Sequence, residues 1–276
     1  MLIKIPFIII KLLKAVRLYE VSKIIYRKHF IYSGILKNDI ESVLFYRSYN
    51  LKKGSFFDVG CYKGSKIDQF LNIDKTIKII AIEPFQKYYC DLVKKYTNYK
   101  NIEIFNLAAS DKIYKKNKFF YNNLTLDKEA FSLIKNARLN KHVYIKSCKI
   151  DSFIDRNPKI IKIDTEGFEL KVLKGAKNII KKKRPIFFIE VTNKTFNETI
   201  KILSSERYNV FIYEYSFFKK KLHNNWKKNN LVQNNVFEQK IYSINEIKKF
   251  KFKNFMFNVI CVPNENCYKF KDLLNP

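Results

Sequence analysis

The chain contains 276 residues, of which 47% are hydrophobic, 16% aromatic and 29% charged. This composition excludes an intrinsically disordered chain and supplies enough apolar side chains for a sizeable buried core. The five cysteines show no Cys-x-x-Cys spacing and the three histidines are scattered. Neither a disulfide framework nor a zinc site is predicted, and a reducing cytoplasm fits this cysteine usage best.

The formal net charge of +29 suggests a polyanionic partner, such as nucleic acid or an anionic membrane. The positive charge is spread along the chain, and only 7 of the 54 basic residues are arginine. Arginine is the preferred residue for bidentate contacts to phosphates and bases. We therefore expect no nucleic-acid partner, and we keep a nucleic-acid-binding protein as an alternative class.

Residues 1–53 are predicted to form a basic, amphipathic, helical N-terminal extension. Four basic residues interrupt its apolar sequence: Lys4, Lys11, Lys14 and Arg17. The uncharged runs between them are too short to span a bilayer, and no small-residue cleavage site for a signal peptide follows. Residues 1–30 either pack on the core of the protein or make a peripheral contact with an anionic membrane.

From residue 54 onward, short apolar runs alternate with longer amphipathic stretches. The apolar runs predict seven strands: Phe56–Val59, Ile77–Ile82, Ile102–Asn106, Ile160–Ile163, Ile186–Glu190, Val210–Tyr215 and Phe257–Val262. The amphipathic stretches predict four helices: Lys66–Leu71, Gln86–Tyr96, Phe168–Ile180 and Thr195–Glu206. This alternation is typical of an α/β domain whose mostly parallel central sheet carries helices on both faces. The domain spans residues 54–276 with an insertion at about 216–253, and no strand is predicted over 121–141.

The scarce glycines indicate where a ligand binds. In "FFDVGCYKG" a strand ends at Asp58, the chain turns at Gly60, and Gly64 opens a helix. Such a turn lets a ligand approach the backbone near a helix N-terminus. Nineteen residues after Gly64, a second strand ends at Glu83, whose carboxylate can accept hydrogen bonds from both hydroxyls of a ribose. These residues predict a site for a nucleoside-containing cofactor.

Two groups of motifs resemble known methyltransferases. Asp-x-Gly-x-x-x-Gly, followed by an acidic residue at the end of the next strand, is similar to the pattern of class I S-adenosylmethionine (SAM) methyltransferases. "KIDTEGFELKVLKGA" and "RPIFFIEV" resemble the FkbM-type methyltransferase family, as do "NLAASD" and "FNVICVP". The resemblance covers about residues 54–263. One departure is Cys61-Tyr62, where many family members have Ala-Asn.

The resemblance implies a Rossmann-like class I methyltransferase fold with SAM as its cofactor. Asp58, Gly60 and Gly64 would then lie around the methionine moiety, with Glu83 at the ribose. Ala109, Ser110 and Asp111 would lie near the adenine. Capping of the following turn by Asp58, and a solvated strand end at Glu83, are the alternative roles of these two carboxylates.

The candidate catalytic residues lie at the ends of two later strands. Methyl transfer to an alcohol needs a base that takes the hydroxyl proton. Asp164 ends the fourth predicted strand, and Glu166 lies two residues beyond it. Lys162 shares the strand face of Asp164, and Glu190 ends the next strand. We expect Asp164 or Glu166 to act as base or substrate orienter, with Lys162 and Glu190 shaping the electrostatics.

Other roles remain open for some of these residues and their neighbours. No metal ligand set is predicted, although a divalent ion bridging the carboxylates to the substrate is an alternative. Glu169 is expected to stabilise the start of its helix. His142 is an alternative base.

The sequence therefore predicts a SAM-dependent O-methyltransferase of the FkbM type. We expect it to act in the cytoplasm on a hydroxyl of a sugar, a glycan or a related secondary metabolite. Peripheral contact with the inner membrane face through residues 1–30 would suit a glycan precursor. The alternatives are N-methylation, a nucleic-acid methyltransferase or binding protein, and a noncatalytic protein that retains the fold.

Overall fold

The computed structural model describes residues 40–51, 54–121, 131–132, 141–192, 194–216, 242–243 and 256–270. The helix predicted over residues 1–30 and most of the insertion predicted at 216–253 lie outside these residues. Among the described helices, none is long and apolar enough to cross a membrane.

The secondary structure of the first half of the chain alternates between helices and strands. Its elements are α1 (Ile40–Leu51), β1 (Ser55–Val59), α2 (Ser65–Ile73), β2 (Ile79–Ile82), α3 (Gln86–Lys95), β3 (Ile102–Phe105), β4 (Ala108–Ala109), β5 (Asn117–Tyr121), β6 (Phe131–Ser132), β7 (Lys141–Ile145) and β8 (Ser147–Cys148).

The second half begins and ends with a 3₁₀ helix. Its elements are a 3₁₀ helix (Ile150–Arg156), β9 (Pro158–Ile163), α4 (Glu169–Lys174), α5 (Lys177–Lys182), β10 (Ile186–Thr192), α6 (Phe196–Ser205), β11 (Tyr208–Ser216), β12 (Tyr242–Ser243), β13 (Met256–Pro263) and a second 3₁₀ helix (Asn264–Phe270).

The central sheet has eight strands in the order β12-β11-β13-β10-β9-β1-β2-β3. The five strands from β3 to β10 are parallel. β13 runs antiparallel to both β10 and β11, between which it lies. Because the chain proceeds from β1 outward to β3 and then returns to the other side of β1 at β9, the order reverses between β1 and β9. Ligands bind at such a reversal in doubly wound sheets.

Helices cover both faces of this sheet, as the apolar pattern predicts. Successive side chains of a strand point to opposite faces. Phe57 therefore packs in a core with α4, α5 and α6, whereas Phe56 packs in a second core with α1, α2 and α3. In the second core, the ring centroid of Phe45 from α1 lies 4.4 Å from that of Phe188 on β10. The last helix of the predicted N-terminal extension thus contributes to the core of the sheet domain.

The single helix predicted over residues 168–180 is wrong, because the chain breaks it into α4 and α5. A Cβ atom on Gly175 would lie only 2.0 Å from the carbonyl oxygen of Ser110. The break between α4 and α5 places Gly175 against the loop after β4, so closely that only glycine fits at this position. Asp151 then caps α5, accepting hydrogen bonds from the backbone N–H groups of Asn178 at 3.0 Å and Ile179 at 2.9 Å.

A small antiparallel sheet, in the order β6-β5-β7, lies beside the central sheet. The absence of strands predicted over residues 121–141 is therefore wrong at Tyr121, Phe131–Ser132 and Lys141. These strands are only five, two and five residues long, and apolar residues follow one another in Phe119–Tyr121 and Val143–Ile145, so no clear alternation marks them. Pairing between strands, which a single sequence does not display, stabilises them.

Candidate active site

A cavity of about 380 Å³ opens at the carboxyl ends of β1, β2 and β9, where the strand order reverses. Its volume falls in the range of small-molecule sites. Five predicted site residues line it: Gly60, Glu83, Ala109, Asp164 and Glu166. Aromatic side chains complete the wall: Tyr62, Tyr88, Phe119 and Phe168. The other predicted residues lie behind or beside this lining: Asp58, Gly64, Ser110, Asp111, Lys162 and Glu190.

The turn after β1 brings the backbone close to the loop after β9. Gly60 has φ +83°, a left-handed conformation that favours glycine. A Cβ atom at this position would lie 1.9 Å from the carbonyl oxygen of Asp164. Gly64, with φ +76°, precedes the first residue of α2. Gly60 therefore allows the turn after β1 and the loop after β9, which form two walls of the cavity, to touch through their backbones.

Glu83 is fixed at the cavity wall by two backbone hydrogen bonds. One carboxylate oxygen accepts from the N–H of Tyr62 at 2.8 Å, and the other accepts from the N–H of Phe85 at 2.9 Å. Burial raises the pKa of Glu83 to about 7, although both hydrogen bonds act to lower it. Each oxygen has a second lone pair, so the carboxylate keeps acceptor capacity toward a ligand in the cavity.

Tyr62 is a residue of this site that sequence reasoning missed. It has φ +49° and its side chain is 40% exposed at the cavity. The sequence marks the position only as a departure from the FkbM pattern. Its backbone N–H donates a hydrogen bond to the Glu83 carboxylate. This contact depends on the main-chain conformation, so the residue type at position 62 does not predict it.

Asp58 lies behind the lining and is 1% exposed. Burial raises its pKa to about 7, and the nearby Lys162 ammonium acts in the opposite direction. Its Oδ2 atom has no hydrogen-bond partner among the described residues. A buried carboxylate oxygen without a partner is costly, so this atom fits a position that a polar ligand group or a water would satisfy.

Of the three residues predicted near the adenine, only Ala109 lines the cavity. The Ser110 hydroxyl donates a hydrogen bond to Asp111 at 3.0 Å, and Ser110 is 1% exposed. These two side chains therefore hold the loop rather than form the cavity surface.

Lys162 is a buried cation beside the catalytic candidates, with 2% of its side chain exposed. Its Nζ lies 3.5 Å from Oδ2 of Asp164 and 3.3 Å from Oδ1 of Asn258. Burial acts to lower the pKa of Lys162, but the negative charges around it, led by Asp164 and Glu41, raise it overall. The structure thus brings Lys162 and Asp164 together, as their shared strand face predicts, and adds Asn258 from β13.

Three carboxylates meet at the mouth of the cavity. Asp164, Glu166 and Glu190 each place one oxygen within 4.8 Å of the other two. Desolvation and the charge of Asp164 raise the pKa of Glu166 to about 7, and they also raise that of Glu190 above its usual range. Such a group of oxygens could hold a divalent cation. The Lys162 ammonium already supplies positive charge beside Asp164.

Glu169 clamps the loop that carries Asp164 and Glu166. One oxygen of its carboxylate accepts hydrogen bonds from the N–H and hydroxyl of Thr165, both at 3.2 Å, and from the N–H of Gly167 at 2.9 Å. The loop is conformationally demanding, since Glu166 has φ +52° and Gly167 has φ +98°. The sequence predicts Glu169 only as a helix-start residue. His142 is exposed on β7 and does not line the cavity.

The parallel strand order and the position of the cavity define a Rossmann-like fold of the class I methyltransferase type. The family model of the methyltransferase FkbM domain matches residues 58–219, more than half of the chain. The chain therefore belongs to the FkbM methyltransferase family. No curated protein matches it.

Several solved methyltransferase structures are similar to this chain. Methyltransferase FkbM from Methylobacillus flagellatus KT is 23% identical with a TM-score of 0.42, over 57% of this chain and 39% of that one. The match therefore spans about two fifths of the M. flagellatus protein. Precorrin-6y C5,15-methyltransferase from Geobacter metallireducens is 10% identical with a TM-score of 0.43, over 80% and 87% of the two chains. A SAM-dependent O-methyltransferase from Thermotoga maritima is 10% identical with a TM-score of 0.40, over 81% and 64%.

Proposed function

We propose that the protein is a SAM-dependent O-methyltransferase that methylates a hydroxyl of a sugar, a glycan or a related secondary metabolite. One observation carries this proposal: Glu83 and the pair Asp164 and Glu166 line the same cavity. A group suited to a ribose and groups suited to a reacting hydroxyl thus face one enclosed space.

The residues of the cavity fit the SAM cofactor. Glu83 would accept hydrogen bonds from the ribose hydroxyls, since its oxygens keep lone pairs beyond the two backbone contacts. Gly60 would let the methionine part approach the backbone, and the unpartnered Oδ2 of Asp58 would satisfy a polar group there. Ala109 would pack near the adenine, with Ser110 and Asp111 fixing its loop. When bound, SAM would supply an electrophilic methyl group, whose bond to sulfur breaks as its bond to the acceptor oxygen forms, leaving S-adenosylhomocysteine.

Glu166 is the residue best placed to take the acceptor proton. It lines the cavity, and its pKa of about 7 matches a base that works near neutral pH. The Glu166 carboxylate would accept the proton as the acceptor oxygen forms its new bond to carbon. Asp164, held by the Lys162 ammonium, would orient the hydroxyl, and Glu190 would add negative charge behind both.

The aromatic wall supports a sugar acceptor. Tyr62 presents an exposed ring at the cavity, and its centroid lies 4.4 Å from that of Tyr88 in an edge-to-face arrangement. Rings fixed in this way offer a flat apolar surface on which the C–H face of a sugar can pack.

We place the reaction in the cytoplasm, with residues 1–30 as a peripheral contact to the inner membrane face. Deletion of residues 1–30 would then weaken sedimentation with anionic vesicles.

The first test is calorimetric titration with S-adenosylhomocysteine, the demethylated form of the cofactor. We expect micromolar binding, weakened at least tenfold by Asp58→Ala and by Glu83→Ala. Glu103→Gln is the matched control, because Glu103 is a carboxylate on the neighbouring β3 that pairs with Lys78 and Arg156 away from the cavity. Absence of binding by folded wild-type protein would refute the enzyme assignment and favour a noncatalytic role.

A screen of acceptors follows from a positive titration. Transfer of radiolabelled methyl groups from SAM would be measured to sugar nucleotides, oligosaccharides and hydroxylated secondary metabolites. Methylation of an oligonucleotide in place of these acceptors would refute the acceptor class while leaving the cofactor assignment intact.

A further inference from the structure

The small antiparallel sheet has one buried face and one exposed face. On the buried face, Phe119 and Ile145 pack against Ala108 of the main domain. On the other face, the strand register places Lys118 directly opposite Tyr144, and Phe120 directly opposite His142. Lys118 and His142 are exposed, and Tyr144 is 60% exposed. These exposures leave the second face accessible to a partner as far as the described residues extend.

The turn that precedes β5 carries two further exposed apolar or aromatic residues. Ile113 is 66% exposed and Tyr114 is 41% exposed, with lysines on either side of them. Ser147 anchors this turn: its N–H donates to the carbonyl oxygen of Tyr114 at 2.9 Å, and its hydroxyl accepts from the N–H of Tyr114 at 2.9 Å. Because Ser147 lies two residues after the end of β7, the turn lies next to that end of the small sheet. We call the exposed side chains of residues 112–121 and 141–149 together the basic aromatic surface.

The charge of this surface is entirely positive in the part of the chain that the structure describes. Residues 112–121 and 141–149 contain no Asp or Glu and seven lysines: Lys112, Lys115, Lys116, Lys118, Lys141, Lys146 and Lys149. All seven are exposed, and none forms an ion pair with a described residue. Acidic side chains elsewhere on the domain do take lysine partners, such as Asp68 with Lys95. The unpaired cations fit a partner that is itself anionic.

We propose that the basic aromatic surface docks on an anionic phospholipid bilayer. Exposed tyrosines favour the membrane–water interface, and lysines near it are attracted to anionic headgroups. Ile113 supplies an aliphatic side chain that can enter the boundary between the lipid headgroups and the acyl chains. Contact of such a side chain with nucleic acid would contribute little binding free energy. The surface also contains no arginine, the residue suited to bidentate phosphate and base contacts. This contact is separate from residues 1–30 and independent of the proposed reaction.

The test is co-sedimentation of the full-length protein with phosphatidylcholine vesicles, with and without phosphatidylglycerol. Two sets of variants separate charge from insertion. Lys115→Gln with Lys116→Gln removes two charges, which should weaken binding to the anionic vesicles about thirtyfold. Ile113→Ser with Tyr144→Ser keeps the charge and should weaken it at least fivefold. All four side chains are exposed, so the fold should tolerate both changes, as circular dichroism would verify.

The control is Lys177→Gln with Lys182→Gln, which removes two exposed lysines from α5 and hence the same net charge. It should leave binding within twofold of wild type. An equal loss in this control would overturn the proposal, since attraction would then follow total charge. Unchanged binding in both surface variants, or no binding to any vesicle, would also overturn it. A loss of oligonucleotide binding in the surface variants with vesicle binding retained would assign the surface to nucleic acid.

Discussion

Replacing Gly60 by alanine tests the backbone contact between the turn after β1 and the loop after β9. The added Cβ would lie 1.9 Å from the carbonyl oxygen of Asp164, and real Cβ contacts are essentially never shorter than 3.0 Å. The Asp164 loop must therefore move by at least 1.1 Å, the difference between these two distances. The left-handed conformation of an alanine here costs about a further 1–2 kcal/mol of stability.

A displacement of about 1 Å in a catalytic group can lower a rate about a hundredfold. We expect Gly60→Ala to reduce methyl transfer by that order, because the same loop carries Asp164 and Glu166. The affinity for S-adenosylhomocysteine should also fall, since Gly60 lines the cavity. Initial rates with radiolabelled SAM, calorimetric titration and urea unfolding would measure the three effects.

Gly54→Ala is the matched control. Its Cβ would crowd Cγ of the Lys159 side chain at 2.2 Å, at the amino end of β1 and away from the cavity. We expect this variant to lose stability while its rate at saturating substrate stays within twofold of wild type. A folded Gly60→Ala protein with wild-type rate and affinity would show that the contact with the Asp164 loop does not govern the site.

Three further outcomes follow from the site. Asp164→Asn should abolish methyl transfer while the calorimetric affinity for S-adenosylhomocysteine changes less than threefold; loss of that affinity in folded protein would contradict an acceptor-side role. Glu169→Ala should lower kcat at least tenfold with little change in the cofactor KM, because the loop that carries Asp164 and Glu166 loses three hydrogen bonds. Glu169→Gln should recover part of the rate, since its amide oxygen can still accept these hydrogen bonds. Equal rates for both variants would argue that Glu169 does not hold the loop. Burial raises the pKa values of Asp58 and Glu83 to about 7, whereas both titrate near about 4 in an unfolded chain. Between about pH 4 and about pH 7 the folded state then binds more protons than the unfolded state, so the free energy of unfolding should fall as pH rises from about 4 to about 7. Asp58→Asn should make this dependence on pH weaker. A melting temperature that rises over this range would refute the raised pKa values.

The fold and the family could be predicted because they depend on local patterns. The apolar strand runs around Phe56 and Ile160 and the amphipathic helices between them specify a covered parallel sheet, and the structure confirms it. The sequence predicts Glu83 and Asp164 at the carboxyl ends of two strands, and both residues line the cavity. The catalytic and cofactor roles of these residues stay predictions.

Other features depend on contacts that sequence spacing does not reveal. Asn258 lies 96 positions after Lys162 and contacts it only because β13 inserts antiparallel beside β10. Glu169 has the appearance of a helix-start residue, yet its carboxylate turns back to the preceding loop. The strands of the small sheet place apolar residues at consecutive positions, so no alternation marks them and only their pairing identifies them.

The reversed strand β13 also has a consequence for how the nascent chain matures. Until residues 256–263 have been synthesised, β10 and β11 lack the strand that lies between them, and both expose unpaired backbone edges. Lys162 would at that stage lack Asn258, its neutral acceptor. The electrostatic arrangement around Asp164 can therefore be completed only when residues 256–263 have emerged. A product terminated before them would be prone to aggregation and would lack a complete site.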